Sequence, residues 1–339
     1  MISRELFSKA SPDTKLQPEL SSFAITAIMS KVLVVFGATG QQGGSVAKVV
    51  LNDPELSKQY KVRAVTRDPS KPAAQALEKL GAEVVKGDAD DAVSLAAVLK
   101  GAHTVFAVTV SVLDAVDKTP ELTQGKAIAD AAVAAGVQFF IFSTLPDVSK
   151  ISEGKLTMVE HFDLKAKIQE YVRTLPIKQA FYVPGYFMQN FGDYMAPQPA
   201  GDGTFAVYSF VTPQTQVPLI DIASDTGKFV GAILANPEKY EGKSIIGATT
   251  LMSYEEAVAE ISRISGKTVK YTQLPESAIR GFMPPLVADM LVGMLYYYQD
   301  YGYYGAQTKE LVQEAPQTAR GKLVTFDEYL AKNIPACLK

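Results

Sequence analysis

The chain has 339 residues, room for two domains at ~100–200 residues each, and its 47% hydrophobic and 20% charged residues exclude wholesale disorder or a collagen-like fibre. With 33 basic against 36 acidic residues, the net charge of −3 gives no basic excess for phosphate backbones, so nucleic acid is not an expected partner. A single cysteine, Cys337, excludes an intramolecular disulfide framework, and two histidines exclude a multi-histidine centre, so no metal is expected.

Residues 1–30 carry scattered charges of both signs, two prolines and several serines, which reads as a disordered extension. An organellar leader is the alternative, against which three acidic residues argue. Apolar runs such as Phe23–Met29 and Val105–Val110 fall far short of the ~20 residues that a membrane helix needs. The expected setting is a reducing one, the cytoplasm with the nucleus as a second compartment, without membrane association.

From Lys31 the pattern alternates β-branched runs with helical segments, the signature of βαβ units and a parallel sheet. Strands are predicted at Val32–Phe36, Val62–Thr66, Glu83–Val85, Thr104–Val108, Phe139–Phe142 and Lys178–Tyr182. Helices are predicted at Gly44–Leu51, Pro72–Leu80, Ala92–Leu99, Gln124–Ala135 and Lys165–Thr174. Six strands and five crossovers make an α/β, Rossmann-like, doubly wound parallel sheet over residues 31–182. Gly81, Gly101 and Gly136 fall where helices end, at positions suited to the left-handed C′ conformation. Residues 183–339 are expected to form a smaller C-terminal α+β lobe for substrate or partner, packed on the first and with a chain crossover allowed. In it a hairpin is predicted around Thr204–Val211, helices at Ile222–Ala235 and Tyr254–Ser265, the latter opened by the capping box Ser253–Glu256, and a strand at Val269–Thr272.

The strongest chemical signal is Gly37-Ala-Thr39-Gly40-Gln41-Gln42-Gly43-Gly44, a glycine-rich turn that follows an apolar strand and opens a helix. Gly37 permits the tight turn, Gly40 a close ligand approach and Gly43 close helix–strand packing, while the amides at the helix start suit a pyrophosphate. The turn lacks the Gly-Lys-Ser/Thr ending of an ATP-binding P-loop, which disfavours nucleotide hydrolysis. At the end of the second strand, where an acid usually accepts from an NAD ribose, stands Arg67, with Lys71 nearby. A guanidinium there suits a 2′-phosphate, so NADP(H) is expected over NAD(H); a solvated Arg67 with Asp68 on the ribose is the alternative. Asp88 follows the third strand and is either an adenine-side residue or a helix N-cap.

At these residues the chain resembles the NmrA-like family, an atypical branch of the short-chain dehydrogenase/reductases that includes NADPH-sensing members. The resemblance rests on Gly37–Ser45, Val65-Thr-Arg67-Asp-Pro, Gly87-Asp88-Ala-Asp-Asp91, His161-Phe-Asp-Leu-Lys165 and Pro184-Gly-Tyr-Phe187-Met-Gln-Asn190, in the family's order. It implies an NADP(H)-binding Rossmann domain with a smaller lobe, acting either as a redox sensor or co-regulator or as a reductase.

Ordinary short-chain dehydrogenases present a Tyr-x-x-x-Lys pair, with a serine from the preceding strand end. Here the serine is Ser143 and the pair reads His161-x-x-x-Lys165. Helical spacing puts both on one face, where Lys165 would bind the nicotinamide ribose and lower the histidine's pKa. His161 then becomes a candidate proton donor near neutral pH, and the resemblance to isoflavone-reductase-like enzymes makes Lys165 a candidate base. The alternative leaves Lys165 as a ribose anchor only and His161 as a polar wall. Thr109 and Ser111, after the fourth strand, are expected near the nicotinamide, with Thr109 and Ser143 on the coenzyme and Ser111 on the substrate side. Tyr186, Phe187 and Asn190 would line the pocket above it, or pack the second lobe. The run Tyr296-Tyr-Tyr298-Gln-Asp-Tyr301-Gly-Tyr303-Tyr304 suits a partner surface, a homodimer contact, a lid or interlobe packing. Cys337 has no basic neighbour except Lys339 and is assigned no redox role.

The function these features support is an NADP(H)-binding redox sensor or regulator that acts through coenzyme-dependent conformation or partner binding; the alternative is an NADPH-dependent reductase of a small carbonyl, enone or quinone.

Overall fold

The computed structural model describes residues 30–338, so the expected extension 1–30 lies outside the described residues except for Ser30. Its strands in chain order are β1 (Lys31–Val35), β2 (Tyr60–Thr66), β3 (Glu83–Lys86), β4 (Thr104–Ala107), β5 (Phe139–Ser143), β6 (Lys178–Pro184), β7 (Tyr186–Phe187), β8 (Gln198–Pro199), β9 (Phe205–Ser209), β10 (Gln216–Ile220), β11 (Ser244–Gly247), β12 (Thr250–Ser253), β13 (Val269–Gln273) and β14 (Tyr303–Ala306).

Seven of them form one sheet in the order β11-β6-β5-β4-β1-β2-β3, all pairs parallel. Such strands are covered on both faces, which is why they read as continuous apolar runs rather than alternating ones. In β1, Leu33 and Val35 enter the core on one face and Val34 that on the other, each fully buried. Helices Ala92–Leu99, Thr119–Ala134 and Glu160–Arg173 cover the Val34 face, and Gln41–Asn52, Pro72–Lys79 and Ile222–Ala235 the Leu33 face. The fold is thus a doubly wound, Rossmann-like sheet. Gly81, Gly101 and Gly136 close their helices at φ of 99°, 70° and 74°, in the left-handed region where a Cβ is costly.

The seventh strand comes from beyond residue 182. β11 pairs with β6, and the helix Ile222–Ala235 lies so close to Gln41–Asn52 that a Cβ on Gly227 would stand 2.3 Å from the Ser45 carbonyl oxygen. Ser45 Oγ in turn accepts from the Gly227 amide at 2.9 Å. A four-residue strand carries too little pattern to be told from a loop, so the sequence alone does not mark Ser244–Gly247 as a seventh strand.

The remaining elements build the smaller lobe, with sheets β12-β10-β7 and β13-β9-β8. The segment expected as a hairpin, Thr204–Val211, holds the single strand β9, which pairs antiparallel with the two-residue β8 before it and in parallel with β13. The helix Tyr254–Ser265 opens on the complete capping box Ser253–Glu256. The tyrosine run resolves into interior packing: Tyr297, Tyr298 and Tyr303 are buried, and Phe162 of the first lobe packs among them with ring centroids 5.7–6.3 Å away. No described helix is long and apolar enough to cross a membrane.

Candidate functional site

The strand order reverses between β1 and β4, and in this fold ligands sit at the carboxyl ends of the strands at such a switch point. The turn leaving β1 is built by its glycines. Gly37 has φ 64°, and a Cβ there would meet Val108 at the end of β4 at 2.9 Å. On Gly43 a Cβ would stand 2.4 Å from the Gly37 carbonyl oxygen, so no side chain fits. Gly40 takes the N-cap position of helix Gln41–Asn52, with no side-chain cap and no acidic residue in the first turn. The helix therefore starts with free amides and an unneutralised positive pole, the arrangement that receives phosphate oxygens. Thr39 is half-buried in the turn and Gln41 exposed beside it. Gln42 turns inward, where its Oε1 accepts from Ser143 Oγ at 2.6 Å, so two expected coenzyme residues are bonded to each other.

Arg67 at the tip of β2 is exposed and makes no ion pair among the described residues. Asp68, the alternative ribose acceptor, is held within its own turn through Oδ1. Its carboxylate accepts from the Ser70 amide and hydroxyl at 3.0 and 2.6 Å, and these bonds hold its pKa below the usual range. Lys71 is exposed at the N-cap of the next helix. Gly87 brings the end of β3 against β2, its amide donating to the Thr66 carbonyl at 2.9 Å, which places Asp88 next to this edge. Asp88 is not an N-cap: Asp91 caps helix Ala92–Leu99, and Asp88 Oδ1 accepts from the Asp90 amide instead.

At the other end of the cleft stand Lys165 and His161. Lys165 is buried and all three ammonium protons are engaged, with the Thr109 carbonyl at 2.8 Å, Thr109 Oγ1 at 2.9 Å and Glu121 Oε1 at 2.5 Å. Burial draws its pKa down against the pull of Glu121. Burial works to raise Glu121, but Lys165 and hydrogen bonds from Thr109 and Ser111 overcome it and hold the carboxyl low. His161, the candidate proton donor, is buried on the same helix. Burial first, then the Lys165 charge, push its pKa down to about 4, so the ring is neutral at pH 7. Its Nδ1 has no hydrogen-bond partner among the described residues.

Glu121 is the site residue the sequence reading missed. It lies in the first turn of a helix that begins at Thr119, not at Gln124. The signal was present in Thr119-Pro120-Glu121, since proline and an acid favour a helix start. Of the other expected pocket residues, Ser111 is half-buried near Glu121. Tyr186 is packed among Phe191, Tyr254 and Tyr298 and accepts from the Tyr194 hydroxyl at 3.0 Å. Phe187 leans on the core of the first lobe, and Asn190 sits half-buried in the 3-10 turn Met188–Gly192. No group of three or more metal-ligating side chains occurs among the described residues.

The sequence profile of the NmrA-like family matches residues 29–330. The NmrA-like family domain-containing oxidoreductase FrzB of Cladobotryum sp is 34% identical over 261 residues, 72% of this chain and 76% of its own length. The NmrA-like family domain-containing protein DDB_G0286605 of Dictyostelium discoideum is 30% identical over 312 residues, 90% of this chain and 98% of its own. The structure is similar to that of NmrA, a negative transcriptional regulator solved in complex with NADP, with a TM-score of 0.73 and 24% identity across 89% of this chain and 95% of that one. Fold, glycine turn and collinear motifs agree, and the chain belongs to the NmrA-like family.

Proposed function

We propose that this protein binds NADP(H) and that coenzyme occupancy or redox state controls a conformation read by a regulatory partner or by a second copy of the chain. The observation that carries the proposal is the uncapped helix start behind the Gly37–Gly43 turn, where a cradle that a Cβ would fill meets free amides. Gly37, Thr39, Gly40, Gln41, Gln42 and Gly43 would hold the pyrophosphate. Arg67, helped by Lys71, would hold the 2′-phosphate, Asp88 would lie on the adenine side, and Thr109, Ser143 and Lys165 would border the nicotinamide ribose. That NmrA has been solved with NADP and with NAD bound supports the coenzyme class. Bound coenzyme supplies a hydride; reduction also requires a proton from a positioned group. Here a neutral histidine stands where the tyrosine of active dehydrogenases would be, and the lysine is saturated, which favours sensing. The protein would act in the cytoplasm, and in the nucleus where its partner is there.

A ligand moves only an equilibrium whose states it binds unequally. Limited proteolysis under saturating NADPH and saturating NADP⁺ should therefore give different protection, and identical patterns would contradict sensing. The second reading, an NADPH-dependent reductase of a small carbonyl, enone or quinone, is supported by the naming of FrzB as an oxidoreductase. It predicts NADPH oxidation with members of such a panel, abolished by Lys165→Ala; turnover that survives this change would remove Lys165 from the chemistry.

A further inference from the structure

The oxidised and reduced coenzymes share their phosphates, their adenine and both riboses. They differ at the nicotinamide, whose ring is a cation in NADP⁺ and neutral in NADPH. A protein that responds to redox state must feel that charge, and buried groups feel it most, because water and salt screen exposed ones.

Two buried charges stand beside the phosphate turn. A Cβ on Gly37 would meet Val108 at 2.9 Å, and the next residue, Thr109, accepts from Lys165 Nζ through its carbonyl at 2.8 Å and its Oγ1 at 2.9 Å. From the other side Gln42 of the same turn accepts from Ser143 at 2.6 Å, and Thr144, the residue after it, donates to the Lys165 carbonyl at 3.1 Å. Lys165 is thus fixed across the carboxyl ends of β4 and β5, on the side of the switch point away from β2 and β3. Glu121 accompanies it, with Oε1 2.5 Å from Nζ and the two side chains only 4% and 10% exposed.

The other ionisable groups around this pair are neutral, turned elsewhere or in water. Burial pushes His161 down to about 4, so it carries no charge at pH 7. Asp163 accepts from the Ser149 amide and hydroxyl. Lys118 pairs with Glu160 at the helix start, where that carboxylate is exposed, and Asp114 and Asp117 are exposed as well. Glu121 and Lys165 are therefore the two unscreened charges at this end among the described residues.

We propose that Glu121 sets the relative affinity for NADP⁺ and NADPH: its carboxylate favours the cationic ring, and the Lys165 ammonium that it holds opposes it. The proposal rests on the coenzyme reading and names the residue through which that site would tell the two forms apart. Contacts to phosphate, adenine and ribose are common to both forms, so they cancel in the ratio of dissociation constants, Kd(NADP⁺)/Kd(NADPH). A merely structural role would weaken both coenzymes alike and leave that ratio where it was.

The test is calorimetric titration of NADP⁺ and of NADPH into the full chain and its variants. Glu121→Gln leaves the ammonium alone and should raise the ratio about tenfold at about pH 6.5, where a buried lysine keeps its proton. Lys165→Met leaves the carboxylate alone and should lower the ratio about tenfold at about pH 8.5, where a buried glutamate is ionised, even as both coenzymes lose a ribose contact. The double variant should bring the ratio back to within about threefold of the wild type. Thermal melts report which variants fold, and where Glu121→Gln does not, the comparison of Lys165→Met with the double variant still isolates Glu121. Glu160→Gln, which removes an exposed carboxylate from the same helix as Lys165, should leave the ratio unchanged. A ratio unmoved by the single variants, or moved by both in one direction, would overturn the proposal, as would an equal shift from Glu160→Gln. Uptake of both coenzymes with such an unmoved ratio strikes this proposal alone, whereas a wild type that binds neither strikes the coenzyme reading and the proposal with it.

Discussion

The two ends of the cleft are built from different materials. At the phosphate end the working parts are backbone: a positive-φ glycine, a glycine with no room for a Cβ, and helix amides without a cap. At the other end they are buried side chains, of which Thr109, Glu121 and Lys165 are bonded to one another while His161 Nδ1 has no hydrogen-bond partner among the described residues. A backbone site stands ready for a ligand because nothing must be displaced from it. A side-chain site whose members already satisfy each other must rearrange before it can act on anything, and this difference is what favours sensing over turnover.

The largest effect should come from breaking the closed end. Glu121→Gln leaves the Lys165 ammonium buried without its counter-charge, a loss of about 3–5 kcal/mol in urea unfolding. Adding Lys165→Met should recover most of it. A loss below about 1 kcal/mol would mean that Lys165 swings free, making the two ends alike after all.

The next effect depends on pH. His161 has a folded pKa of about 4 against about 6.5 when unfolded. Between those values the unfolded chain holds the extra proton, so stability is complete above about pH 6.5 and falls as pH drops toward 4, by up to about 3 kcal/mol. Buried Asp163, raised by burial, titrates as well, so the contribution is read as the difference between the wild type and His161→Phe. Parallel stability curves for the two proteins would place His161 in water.

The smallest effect belongs to the open end. Arg67→Ala should weaken NADPH binding by ~1.5–3 kcal/mol, the worth of hydrogen bonds to a charged group, and leave NADH binding unchanged. Equal losses for both coenzymes would remove Arg67 from the 2′-phosphate.

The same contrast governs what could be read from the sequence. Gly37, Gly40 and Gly43 lie within one turn of chain, so their spacing alone specifies the conformation. Helices Ala92–Leu99, Ile222–Ala235 and Tyr254–Ser265 were equally plain, since their periodicity and caps are local. Glu121 was not, because its meaning depends on Lys165, 44 residues later, and on a helix start placed five residues too late. His161 was legible as a position but not as a neutral ring, since burial is a tertiary property. The seventh strand escaped for a similar reason: only its place against β6 marks Ser244–Gly247 as part of the sheet.

The most direct measurement is a calorimetric titration of the purified, folded chain with NADPH and with NADH. The account predicts saturable uptake of both at a single site, with NADPH the tighter by about tenfold or more through Arg67. Heat of dilution alone from both coenzymes would contradict it, because the free amides behind Gly40 would then have no ligand.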